Sequence, residues 1–141
     1  MISAYNEGSS KLLELQLRSI GEIYILQKDL DWALANSNAI KLQYEIDGEL
    51  AGAIIVVNKI FRPWSALYFF AADPEFASHK VAYQLLQKAE SLCTRSSLRL
   101  YLRNDGKDAI NFFKRNNYVL RKIKRNHYRK NLDAHVFMKK L

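Results

Sequence analysis

A single cysteine, Cys93, is all the thiol chemistry in this chain of 141 residues. One cysteine cannot close an internal disulfide, and it suits a reducing cytoplasm better than a stapled secreted scaffold. Long hydrophobic runs are also missing. The longest, Leu50–Val57 and Ala66–Ala72, are strand-length and far short of the ~20 apolar residues of a membrane span. The opening Met1-Ile2-Ser3-Ala4-Tyr5-Asn6-Glu7 has no basic n-region or apolar h-region, so no signal peptide is read. A cytoplasmic location without membrane association is the expectation. No repeat, low-complexity tract or linker divides the chain, and one domain over residues 1–141 is expected. His79, His127 and His135 lack metal-ligand spacing, and no carboxylate pair or second cysteine supports them, so no metal site is expected. No Ser-His-Asp arrangement is read either. Acidic residues are few, 14 against 22 Lys and Arg, for a formal net charge of +8. That excess points to acidic partners such as nucleic acid, ribosomal surfaces or a polyphosphate, with a merely basic protein as the plain alternative.

What is present is globular in composition: 49% apolar and 26% charged. Leu13, Leu17 and Ile20 share one face of a helix over Ser9–Ile20. Asp29 reads as the N-cap of a short second helix, Leu30 to Ala35. Ile40, Leu42, Tyr44 and Ile46 then alternate with Lys41, Gln43 and Glu45, a half-buried strand ended by the hairpin signal Asp47-Gly48. The return strand, Leu50–Val57, is apolar on both faces and belongs in the sheet centre. Ala66–Ala72 gives the next strand. A helix over about Ser78–Cys93 presents Val81, Leu85, Leu86, Ala89 and Leu92 to the sheet. Leu98, Leu100 and Leu102 mark a further strand, and Asn104-Asp105-Gly106 turns into a helix carrying Ile110 and Phe113, with Asn104 and Asp105 placed to cap it. Two strands close the chain, near Tyr118–Ile123 and Ala134–Met138. This order predicts an α/β (α+β) fold, a mixed, mostly antiparallel central sheet flanked by helices on both faces.

Within that order, Tyr68 to Leu86 reads as strand, Asp73-Pro74 turn and helix start. The first N–H groups of a helix have no partners within it, so a helix that follows a buried strand offers an anion site.

The arrangement resembles the GNAT acetyltransferases, and within them the ribosomal-protein N-terminal alanine acetyltransferases, from about Ile40 to the C-terminus. The residues that carry the resemblance are the hairpin Tyr44–Gly52, the strand end Ala72-Asp73-Pro74-Glu75, the helix segment Ala109-Ile110-Asn111-Phe112-Phe113, and Ile123–Tyr128 followed by Asp133-Ala134 and Met138. The resemblance implies that the anion is the pyrophosphate of acetyl-CoA. It implies acetyl transfer to an amine, a protein N-terminal α-amino group among the candidates, by direct attack on the thioester. It places cofactor contacts on Phe70, Ala72, Ser78, His79, Lys80, Val81, Ala82 and Phe113.

Several positions depart from the family pattern. Ala77, Lys80 and Ala82 stand where the phosphate loop has Gln/Arg, Gly and Gly/Ala, and Lys80 brings a Cβ and an ammonium to a glycine position. Phe113 replaces the tyrosine general acid, Tyr101 aligns with a glutamate base, Gly106 with a helix-opening asparagine, and Asn117-Tyr118 with Gly-Phe. Asparagine tolerates the left-handed backbone that glycine would supply. Without a strong base, an α-amino group with a pKa near about 7.7–8.0 is an easier acceptor than a lysine near about 10.4. Tyr101, His127 and Tyr128 are the candidate catalytic groups, and His127 has the most suitable intrinsic pKa. Sheet packing for Tyr101 and solvent exposure for His127 are the plain alternatives.

The basic run within Arg121–Lys130, interleaved with His127 and Tyr128, fits nucleic acid, an acidic protein or a cofactor phosphate, or else a solvated hairpin. Three functions stand side by side: an acetyl-CoA-dependent N-acetyltransferase, a catalytically impaired GNAT-fold module that binds or regulates, and a basic nucleic-acid or protein-binding module.

Overall fold

A computed structural model describes residues 1–20, 25–58 and 61–141. The apolar run predicted for the sheet centre is buried at every position from Ala51 to Val57. It forms β3 (Glu49–Asn58), paired on one side with β2 (Ala39–Ile46) and on the other with β4 (Trp64–Ala72). Asp47 and Gly48 turn β2 into β3 with φ of 51° and 79°. Positive φ at both central residues is the two-residue hairpin geometry that Asp-Gly favours.

The remaining elements are β1 (Ile2–Ala4), α1 (Ser9–Ile20), α2 (Gln27–Ala35), α3 (Val81–Leu92), β5 (Ser97–Arg103), α4 (Lys107–Arg115), β6 (Val119–Arg129) and β7 (Leu132–Lys140). They build one seven-stranded sheet in the order β1-β2-β3-β4-β5-β7-β6. Every neighbouring pair is antiparallel except β4 and β5. On one face, Leu12, Leu15, Leu30 and Ala33 of α1 and α2 cluster with Ala53, Ile55, Val57, Phe69 and Ala71. On the other, Val81, Leu85, Leu86 and Ala89 of α3 and Phe113 of α4 pack with Ile54, Val56, Leu98, Leu100 and Phe137. Gly52 permits that second contact. A Cβ there would stand 2.5 Å from Val81 Cγ1 and 2.9 Å from Leu85 Cδ1.

The structure corrects several expectations. The buried face of α1 is Leu12 and Leu15, whereas Leu13 is half-buried and Leu17 is exposed; the Ile20 side chain lies outside the described residues. The Gln16 amide sets this rotation, donating to the Ile25 carbonyl at 3.2 Å and accepting the Ile25 N–H at 3.0 Å. Asp29 is not a cap: α2 starts three residues earlier, at Gln27 behind Leu26, and Asp29 lies in its first turn, where a carboxylate suits the helix dipole.

The helix expected from Ser78 is split. A 3-10 helix, Pro74–His79, comes first, because Pro74 fixes the opening turn and the Asp73 carboxylate accepts the Glu75 N–H at 3.0 Å. Lys80 then adopts a left-handed conformation and α3 begins at Val81. Leu92, predicted to face the sheet, is exposed at the end of that helix. Asn104 and Asp105 do not cap α4. Gly106 holds that place without a side-chain bond, and Asp105 instead pairs with Arg103.

Candidate active site

The single parallel pair shapes the site. β4 and β5 are in register at Trp64–Ser97, Ser65–Leu98 and Ala66–Arg99 only. Beyond Ala66 the two strands part. β4 keeps its partner on the β3 side, where Asp73 N–H donates to the Ala51 carbonyl at 2.8 Å. Main-chain groups alternate sides along a strand, so Ala71 and Asp73 face β3 while Phe70 and Ala72 turn toward the parting. Their N–H and C=O groups have no β5 partner there. These are two of the residues at which cofactor contacts are expected.

The strand leads into Asp73, which is buried and held by Arg18. The guanidinium Nε donates to Oδ2 at 2.8 Å, and the other branch reaches the Leu50 carbonyl at 3.1 Å. Asp73 in turn caps the 3-10 helix, so the end of α1 fixes the segment entering α3. Ser78 and His79 belong to that 3-10 helix, and Lys80 N–H donates to the Ala77 carbonyl at 3.3 Å. The free donors at the start of α3 are those of Val81, Ala82 and Tyr83, as at any helix N-terminus. Lys80 has φ 53° and ψ 41°. That is the conformation glycine adopts without cost, taken here by a residue that stands where the resemblance expects glycine. On this count the residues fit a phosphate group.

Phe113 is buried, with its ring 5.9 Å from Phe70, 5.2 Å from Phe112 and 5.2 Å from Tyr118. It joins the strand at the parting to α4 and brings no hydroxyl. The nearest phenol is committed elsewhere: Tyr118 donates to Glu90 Oε2 at 2.6 Å, and Lys139 Nζ lies 3.1 Å from both Glu90 oxygens. Burial first, and then Glu90, push the Tyr118 hydroxyl far above its ordinary pKa. The turn before Tyr118 has Asn117 at φ 70°, with Tyr118 N–H on the Phe113 carbonyl and Asn117 N–H on the Lys114 carbonyl. Asparagine thus takes the left-handed helix end that glycine usually supplies.

The three candidate catalytic side chains come together. Tyr101 lies on β5 just past the parting, its ring 5.3 Å from that of His127, which is 4.9 Å from Tyr128. A wide bulge in β6 makes this possible. Lys124 pairs with Ala134 and Arg129 with Leu132, so Arg125 to Tyr128 stand opposite Asp133 alone. The Asp133 carboxylate accepts the Asn126 N–H at 2.8 Å, while its carbonyl accepts the Asn104 N–H at 3.0 Å. Asn126 has φ 54° there and its own side chain accepts the Asn131 N–H at 2.7 Å.

The two phenols of the cluster are driven apart. The Tyr101 pKa is lowered, chiefly because Lys124 hydrogen-bonds the phenolate form, with the charges of Lys124, Arg99 and Lys122 adding to this against partial burial. Lys124 Nζ is 4.8 Å from the Tyr101 ring centre. Burial raises the Tyr128 pKa despite a pull downward from Arg103. Lys124 and Asp133 lie in segments that the sequence marked only for a resemblance and a basic run, and Arg18 lies in no segment marked for function. Lys124 meets Tyr101 only because β7 lies between β5 and β6, and Arg18 meets Asp73 across 55 residues.

Two open hollows lie elsewhere. One of about 440 Å³ is lined by Asn104, Asp105 and Arg129–Leu132, and one of about 430 Å³ surrounds Trp64 and Arg99. Cys93 is half-buried and its thiol pKa is raised, chiefly by burial. Among the described residues no group of three His, Cys, Asp or Glu is placed to hold a metal, and no helix is long and apolar enough to cross a membrane.

The element order, the one parallel pair and the parting beyond it define the acetyltransferase fold class. The Acetyltransferase (GNAT) family model matches residues 10–118, and the chain belongs to that family. No curated protein matches the chain. Among solved structures, the ribosomal-protein-S18-alanine N-acetyltransferase from Escherichia coli superposes with a TM-score of 0.79 at 18% identity, over 99% of this chain and 92% of that one. Ard1 from Thermoplasma volcanium gives 0.81 at 23% identity, over 100% and 97%. A GNAT family acetyltransferase from Elizabethkingia anophelis with acetyl-CoA bound gives 0.80 at 13% identity, over 100% and 97%. At such identities the likeness is one of fold.

Proposed function

We propose that this chain is an acetyl-CoA-dependent N-acetyltransferase acting on an α-amino group, as at a protein N-terminus. The observation that carries the reading is the pair of unpartnered main-chain groups at Phe70 and Ala72, at the place where β4 leaves β5. Bound acetyl-CoA would supply the thioester acetyl. Phe70 and Ala72 would hold and polarise it through backbone donors, a contribution that does not depend on side-chain identity. Val81, Ala82 and Tyr83 N–H groups, with the exposed Lys80, would hold its phosphates.

Proton transfer falls to the β6 bulge. Tyr101, with its lowered pKa, accepts the amine proton, and Tyr128, with its raised pKa, keeps a proton to donate. His127 lies between the two rings. Thiol release from acetyl-CoA, measured with matched α-amino and ε-amino peptides, tests the reading. An α-amino preference is expected, together with a kcat loss of roughly 10²–10⁴ in Tyr101→Phe. A lysine preference sinks the acceptor assignment. Failure to bind millimolar acetyl-CoA by calorimetry sinks the enzyme.

A second reading has its own observation. Phe113 offers no proton at the position of the family's general acid, which favours a GNAT-fold module that binds cofactor without turnover. Binding with no thiol release from any amine pool would select it. A cytoplasmic setting is consistent with both.

A further inference from the structure

Among the described residues, half of one sheet face is left without a helix. Val57, Ala66, Arg99, Met138 and Val119 form one register row across β3, β4, β5, β7 and β6. Residues opposite in register share a face, so this row lies on the side covered by α1 and α2. That cover stops at β4, since the cluster under α1 and α2 has no member from β5, β6 or β7. The row Tyr101, Val136 and Lys122 lies on the same bare half.

The bare half is basic. Arg99, Lys122, Lys124 and Lys140 belong to it, and Arg62 and Arg121 stand at its rim. Among the described residues the ion pairs lie elsewhere, at Glu7, Asp73, Asp105 and Glu90, and none of these six cations meets a carboxylate. Three of them, Arg99, Arg121 and Lys140, converge on the hollow of about 430 Å³ beside Trp64, whose lining holds no carboxylate. Like charges gathered in a concavity repel one another until an anion enters.

Rings accompany the cations. Trp64 has Arg99 4.8 Å and Arg62 5.5 Å from its centre, and Tyr101 has Lys124 at 4.8 Å. The geometry points to single-stranded RNA as the ligand of this face, entering at the Trp64 hollow and running along β5 toward Tyr101. Phosphates draw the cations, and ring faces take the bases. An acidic peptide would use the charges and leave the rings without a role. A duplex would present no free base to a flat sheet. The seven residues of β5 give a track of about 20 Å.

The test is fluorescence anisotropy of the intact protein with a labelled oligouridine of about a dozen nucleotides across a salt series. Six engaged cations give a slope of log K against log salt of about −4, so affinity falls about 300-fold between about 50 and 200 mM. Arg99→Gln with Arg121→Gln, both surface changes, should flatten the slope by about 1.4. Trp64→Leu, checked for folding by its melting curve, should weaken binding while leaving the slope unchanged. A slope shallower than about −1, a double variant that binds like the parent, or equal competition by polyglutamate or duplex RNA overturns the inference. The track ends at Tyr101, but none of the substituted residues Trp64, Arg99 and Arg121 belongs to the Tyr101, His127 and Tyr128 cluster, and acetyl-CoA binding is not measured, so failure here leaves the enzymatic reading standing.

Discussion

Lys80 gives the sharpest test of the cofactor loop, because its backbone and its side chain make opposite demands. At φ 53° and ψ 41° it lies in the left-handed region, where a residue with a Cβ is disfavoured by roughly 1–2 kcal/mol. The conformation is imposed from both sides. The Lys80 N–H closes onto Ala77 at 3.3 Å, and its carbonyl accepts the Gln84 N–H at 3.1 Å as α3 begins. Lys80→Gly removes the Cβ penalty but frees the unfolded chain at a cost of about 0.4–1 kcal/mol. The net expectation is a gain of about 0.5–1 kcal/mol, or a melting temperature higher by about 2–4 °C for a domain of this size.

Lys80→Ala separates strain from charge. It keeps the Cβ and loses the ammonium, so its stability should stay within about 0.5 kcal/mol of the parent, as for an ordinary surface change. Lys80→Asn should fall between the two, since asparagine tolerates this region. Calorimetry with acetyl-CoA then reads the second demand: alanine loses affinity with the charge, while glycine offsets that loss by letting phosphate approach the backbone. A glycine variant that melts below the parent, or an alanine variant that gains as much as glycine, refutes the strain argument.

Gly52→Ala should destabilise by about 1–3 kcal/mol in denaturant unfolding, because its Cβ would meet Val81 and Leu85 at 2.5 and 2.9 Å. Tyr118→Phe should cost about 1–3 kcal/mol by leaving Glu90 with Lys139 alone. Its pH signature has a definite sign. The folded pKa of Tyr118 is raised and that of Tyr5 is pushed up to about 12, so both stabilise fully below the unfolded value of about 10. Stability therefore falls as pH rises above 10, and the phenylalanine variant should show a shallower alkaline fall. Lys124→Gln removes the partner that lowers the Tyr101 pKa, so the ascending limb of kcat/KM, where the base loses its proton, should move to higher pH. Substrate ionisation is common to both proteins, so an unmoved limb removes Tyr101 from proton transfer.

Much of the frame was legible because it depends on local chemistry. Asp47-Gly48 turned as its residue types demand, Ala51–Val57 took the sheet centre, and Asn117 stood in for glycine at a helix end. What escaped depends on distant contacts. The face of α1 is set by Gln16 holding the Ile25 backbone, which periodicity in Leu13 and Leu17 does not record. Pro74 and the Asp73 cap produced a 3-10 helix in a stretch whose apolar spacing continues smoothly into α3. The site cluster was legible only as three residue types. Its assembly needs β7 inserted between β5 and β6 and four residues bulged against Asp133, and neither alternation nor spacing specifies an insertion order.

The departures from the family pattern fall unequally on the two tasks of acetyl transfer. Cofactor binding draws on main-chain direction, which sequence drift changes little. Phe70 and Ala72 turn toward the parting because Asp73 bonds Ala51 and main-chain direction alternates along the strand, whatever side chains they carry. Lys80 keeps the left-handed backbone although it is not glycine. A one-residue slip of β4 against β3 would reverse those directions, so the hairpin at Asp47-Gly48 and the register of Gly52 with Ala72 matter more to this task than the loop residues themselves. Proton transfer has no such protection, since a backbone amide is too weak an acid and too weak a base to serve in it near neutral pH. With Phe113 buried among rings and Tyr118 committed to Glu90, that task rests on side chains the β6 bulge delivers. Under the proposed mechanism, Asp133→Ala, which removes the carboxylate that holds the Asn126 N–H and the bulge, should lower kcat as Tyr101→Phe does while leaving acetyl-CoA affinity by calorimetry unchanged.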